Sequence, residues 1–101
     1  MTDRELLEAA AKTAGIELEW PQHVGGADYL SPRETADWQL WNPLKNDGDA
    51  LRLACKLHIN VFIYEDETST ATGGVSAKNW GSVEANTRRA IVRTAAAMAV
   101  G

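Results

Sequence analysis

Apolar residues along this chain change their spacing several times, and each change marks a predicted element. Leu6, Leu7, Ala10 and Ala14 recur at helical spacing. They follow Thr2-Asp3-Arg4-Glu5, which has the form of a capping box: the Thr2 hydroxyl accepts from the Glu5 amide and the Glu5 carboxylate reaches back. Gly15 suits the left-handed residue that ends a helix, so the pattern predicts a helix over 3–14. Ile16 to Trp20 then alternates apolar and acidic, the period of a half-buried strand, and Pro21 ends it.

Residues 21–37 are weakly patterned. Gly25-Gly26 marks a turn. Ser31-Pro32-Arg33-Glu34 has the form of a second capping box and allows a short helix through Trp38. The favoured alternative is a turn followed by a short strand, Trp38 to Trp41, with Trp38 and Leu40 on one face. Asn42-Pro43 closes this element, because a residue before proline avoids the helical region. Asn46 or Asp47 then caps a second helix. Ala50, Leu53, Ala54 and Leu57 form its buried stripe, with Leu51 beside them and Arg52 and Lys56 outside. Cys55, one step from the stripe, reads as a small buried thiol.

Ile59 to Glu65 is dense in β-branched and aromatic residues and predicts a strand. Ile59, Val61 and Ile63 share one face and Phe62 and Tyr64 the other, so both faces are expected to be partly covered. Residues 65–74 read as a polar hairpin loop and Val75 to Trp80 as its return strand. Ser82 caps a third helix running to about Val100. Val83, Thr87, Ala90, Ile91, Thr94, Ala95 and Met98 face inward, and Arg88, Arg89 and Arg93 outward. The order is α-β-(β)-α-β-β-α. It predicts a single α+β domain over 1–101, in which an antiparallel sheet of about three strands is packed by three helices.

Charge and composition narrow the function classes. The net charge is −4, which argues against reliance on phosphate contacts, since nucleic-acid binders usually carry a basic domain. The lone Cys55 makes neither an internal disulfide nor a structural zinc site. No basic start leads into an apolar signal core, and no apolar run approaches the roughly 20 residues of a membrane span. The expectation is a protein that stays in the cytoplasm of the cell that makes it.

Three blocks carry a resemblance. They are Thr2-Asp3-Arg4-Glu5-Leu6-Leu7, then Trp41-Asn42-Pro43-Leu44 with Asp47-Gly48-Asp49-Ala50-Leu51-Arg52-Leu53-Ala54, then Arg88-Arg89-Ala90-Ile91-Val92-Arg93. In these the chain resembles a group of small accessory proteins encoded by tailed bacteriophages and prophages. The resemblance implies a phage protein made in the host cytoplasm. The group has no assigned activity, so no site residue is carried over.

The remaining side chains offer few chemical constellations. Asn46, Asp47 and Asp49 could gather a cation, but they lack the further oxygens of a calcium loop and read more simply as a helix cap. Cys55 with His58 or His23 has no third group to orient a base. No catalytic residue, metal site or cofactor is predicted. Four tryptophans, Trp20, Trp38, Trp41 and Trp80, are many for this length. Two or three belong in a core, and Trp38 and Trp80, each beside a loop, are the exposed candidates for gripping a partner protein. Arg88, Arg89 and Arg93 form a small basic patch, read first as a solvated helix face and second as a phosphate contact; Arg89 and Arg93 join Trp38 and Trp80 as candidate partner-binding residues. Val92, Ala96 and Ala99 widen the apolar face of the last helix beyond one packing side, which leaves room for a homo-oligomer. The leading expectation is a non-enzymatic protein that binds a host or phage protein. The alternative is a nucleic-acid-associated protein using the arginine face.

Overall fold

The computed structural model describes residues 2–16, 29–32, 38–70 and 76–99, with the backbone alone for 29–32 and 38–40. Helix α1 spans Asp3–Ala14 and begins with the full capping box: the Glu5 amide donates to the Thr2 hydroxyl, and Thr2 donates back to the Glu5 carboxylate. Gly15 ends it at φ 71°, a left-handed conformation that costs glycine little. Strands β1 (Tyr29–Pro32) and β2 (Trp38–Trp41) form an antiparallel hairpin, with Tyr29 opposite Trp41 and Pro32 opposite Trp38. Ser31-Pro32 and Trp38, the ends of the alternative short helix, lie in strands rather than at a cap or in a helix, and residues 33–37 between them lie outside the described residues. The strand expected over 16–20 falls on residues 17–20, outside the described residues, as do Gly25-Gly26 and His23.

Helix α2 runs Asp47–Leu57, capped by Asn46, whose side chain accepts from the Asp49 amide. Strands β3 (Val61–Ile63), β4 (Glu67–Thr70) and β5 (Ser76–Lys78) form an antiparallel sheet in the order β3-β4-β5. Helix α3 spans Val83–Met98 and starts at Ser82, which accepts from the Ala85 amide. The architecture is α+β among the described residues, with three helices, a three-stranded antiparallel sheet and a separate two-stranded hairpin.

The polar stretch after Tyr64 is not a long loop: Glu65-Asp66 makes a tight turn and Glu67–Thr70 becomes the central strand. The hydroxyl side chains explain this. Thr68 and Thr70 are buried against α3, where the Thr68 hydroxyl meets Thr87 at 2.9 Å and the Thr70 hydroxyl meets Thr94 at 2.7 Å. Thr87 also donates to the Val83 carbonyl and Thr94 to the Ala90 carbonyl. A hydroxyl has one proton, so with the Thr87 proton on the Val83 carbonyl, Thr68 is the donor across the seam to Thr87.

Helix α3 is the centre of the fold. It touches α1 and α2 on one side and all three strands of the larger sheet on the other. Ala10, Ala11, Val92, Ala95 and Ala96 are buried in the core beside Leu6, Leu7, Leu53 and Ile91. The small side chains allow close helix approach, and the Thr13 hydroxyl donates to the Ala95 carbonyl at 2.7 Å. Val92 and Ala96, expected to leave a free face, are thus buried within the chain, because α3 is covered from two sides. Met98, expected inward, is exposed at the helix end, and the helix stops there rather than at Val100. No helix among the described residues is long and apolar enough to cross a membrane.

Candidate functional site: the open face and end of the sheet

A sheet packed by a helix on one face leaves the other face to be explained. The register decides which residues stand there. Val61 pairs with Thr70 and Ile63 with Thr68, so these positions share the face turned to α3. Phe62 pairs with Ser69, and Ser69 with Ser76, in a row across the opposite face. Tyr64 continues the side of Phe62, and its amide still donates to the Glu67 carbonyl at 2.8 Å. Phe62 is 45% exposed and Tyr64 54% exposed. Each is thus about half covered, the partial cover expected of this face, and among the described residues α1 and α2 pack on α3 rather than on the outer face. Ile63 is exposed as well, although its register places it on the α3 face.

The same register places Trp80. Tyr64 lies beside Glu67 and Glu67 beside Lys78, so the ends of β3 and β5 and the start of β4 meet at one end of the sheet. Trp80 follows just beyond Lys78. The start of α3 lies at this end too, because Thr87 meets Thr68 before Thr94 meets Thr70. Trp80 is 50% exposed, the exposure expected of it. Its backbone is held: the Trp80 amide donates to the buried Asn86 side chain at 2.9 Å. It sits between Asn79 at φ 66° and Gly81 at φ 109°, and the latter conformation favours glycine. The exposed charges around this end are Glu65, Asp66, Lys78 and Glu84.

The arginines do not form a solvated patch. Arg89 lies over the Trp80 ring at 3.8 Å from its centroid and donates to Asp3 at 2.8 Å, joining α3 to α1. Arg88 is largely buried; it donates to the Leu44 carbonyl at 2.8 Å and pairs with Asp47, joining α3 to the start of α2. Arg93 stays exposed and donates to the Ser76 carbonyl at 3.0 Å, reaching β5. Of the partner-binding candidates, Trp80 and Arg89 are brought into contact and Arg93 lies one turn further along. Trp38 belongs to β2, and its side chain is outside the described residues.

The other constellations resolve into structural roles. Asp49 is buried; its carboxylate accepts from the Asn42 amide at 3.0 Å and from Arg52 at 2.6 Å. With Asn46 capping the helix and Asp47 on Arg88, these oxygens do not converge, and no metal-binding group of histidine, cysteine and carboxylates occurs among the described residues. Cys55 is exposed rather than buried, and Leu51 is exposed at 63%. His58 holds the left-handed C-cap of α2 at φ 55°. Trp41 is a core residue.

The exposed Phe62 and Tyr64 were missed because β-propensity reports what suits a strand, not which face is covered. The signal was present in the neighbours: Ser69 and Ser76 offer little apolar area to a covering layer. Comparison of the chain with known protein families, with curated proteins and with solved structures finds no match.

Proposed function

We propose that this chain is a non-enzymatic, phage-encoded accessory protein that acts in the host cytoplasm by binding a host or phage protein. The observation that supports this reading is the exposure of Phe62, Tyr64 and Trp80 around one open sheet. Exposed aromatics supply large contact area with little side-chain entropy to lose, and they dominate the energy of protein interfaces. Trp80 is held from behind by Arg89 and through its own amide, so little ordering is left for binding to impose. The surrounding Glu65, Asp66 and Glu84 favour a partner with basic residues at the rim of its contact surface. The nucleic-acid reading has less support, because Arg88 and Arg89 are committed to Asp47 and Asp3.

The test is affinity capture from bacterial lysate with the wild-type chain, a Tyr64→Ser/Trp80→Ala variant and a Leu51→Ser control. The reading expects a protein retained by wild type and control and lost from the double variant. Retention unchanged by the double variant, or no protein retained by any, overturns it.

A further inference from the structure

Strand β3, three residues long, forms one edge of the sheet. Antiparallel pairs alternate between bonded and non-bonded, and the Tyr64–Glu67 bond fixes the phase. Phe62–Ser69 is then a bonded pair, and the amides and carbonyls of Val61 and Ile63 point away from β4. Among the described residues no strand pairs with that edge. The strand Val61-Phe62-Ile63 carries no charge, no proline and no glycine. The opposite edge is guarded: Arg93 occupies the Ser76 carbonyl and Lys78 places a charge on β5.

We infer that the β3 edge pairs antiparallel with the β3 edge of a second copy of this chain, about a two-fold axis at Phe62. In that register Val61 of each copy exchanges hydrogen bonds with Ile63 of the other. Phe62 faces Phe62 of the second copy across a non-bonded pair, where side chains approach most closely. The charges flanking the strand select this occupant and this direction. Exposed Lys56 leads into β3, with the His58 imidazole beside the strand, and exposed Glu65 and Asp66 leave it. Antiparallel pairing brings the acidic end of each copy beside the basic end of the other, twice by symmetry. Parallel pairing would set acid against acid. The product is a continuous six-stranded sheet, three strands from each copy, with the aromatic outer faces joined. This inference rests on the backbone edge and stands whatever the outer face binds.

The test is sedimentation of the full chain over a wide concentration range, with hydrogen exchange read at single amides. The expected result is a mass rising from 11.0 kDa toward twice that value, with slow exchange at the Val61 and Ile63 amides in the heavier species. Phe62→Lys places like charges across the axis on an exposed position, so it is expected to stay folded by circular dichroism and to remain monomeric. Ile63→Pro removes one outward amide and is expected to do the same. Asp66→Lys is expected to weaken association, and mixing it with His58→Glu to restore it between the two variants. A monomer at every concentration overturns the inference. So does a dimer that Phe62→Lys leaves intact, or one in which the Val61 and Ile63 amides exchange freely.

Discussion

Replacing Thr87 by valine removes one hydroxyl from the seam between α3 and the sheet and changes little else. Valine and threonine have similar shape and similar helix propensity. Thr68 is fully buried, and its hydroxyl donates to Thr87 at 2.9 Å. The variant takes away that acceptor inside the seam, and a buried donor deprived of its acceptor costs about 1–3 kcal/mol. For a domain of this size each kcal/mol lowers Tm by about 4–8 °C. Thr68→Val is the asymmetric partner. It removes the donor, but the half-buried Thr87 hydroxyl keeps its bond to the Val83 carbonyl, so the cost is about 1 kcal/mol or less. The double variant replaces both hydroxyls by apolar groups of the same shape and is expected to be more stable than Thr87→Val alone. Urea denaturation of the four proteins completes a double-mutant cycle. If the two single costs simply add in the double variant, the hydroxyl pair carries no coupling and the reasoning fails.

Other expectations follow from the same geometry. Arg89→Ala removes the ion pair with Asp3 and the stacking on Trp80, a loss of about 1–2 kcal/mol in urea titration that shrinks at high salt; an unchanged midpoint would mean that the pair is decorative. Asp49→Ala deletes the bonds from the Asn42 amide and from Arg52 to a buried carboxylate and is expected to cost about 2–4 kcal/mol, while millimolar magnesium or calcium leaves the wild-type Tm unmoved. The Thr2 amide, and then its hydroxyl, hold the Glu5 carboxyl below its usual value of 4.5. A lowered folded value means that stability is present above the ordinary carboxylate range and is lost as pH falls through the folded value. Glu5→Gln keeps the capping bond and should flatten that acid limb, read as Tm against pH.

What the sequence made legible was local. Thr2, Asn46 and Ser82 set the helix starts, since a cap is decided by a few consecutive residues. The stripe Ala50, Leu53 and Ala54 was readable because a helix repeats its buried face. The central strand was not, for two reasons. Its residues Glu67–Thr70 have no apolar alternation, and Glu65-Asp66 lacks the Asn-Gly signature of a two-residue hairpin; neither residue adopts positive φ. Hydroxyls that find partners only on α3 do the work that apolar side chains usually do. Long-range pairing also hid the roles of Arg88 and Arg89, whose partners Asp47 and Asp3 lie far away in the chain. The surplus apolar width of α3 was read correctly as surplus, but it serves packing on two sides within one chain. The candidate site was half legible: Trp80 stood out beside its loop, whereas Phe62 and Tyr64 required knowing which face of the sheet α3 leaves open.

The central claim is that this open face is the working surface. A photo-crosslinking amino acid placed in turn at positions 62, 64, 80 and 51 tests it inside bacterial cells that express the chain. Light-dependent adducts with another protein are predicted at 64 and 80 and not at 51, with adducts at 62 reporting the second copy. Adducts missing from 64 and 80, or equally strong at 51, would contradict the account.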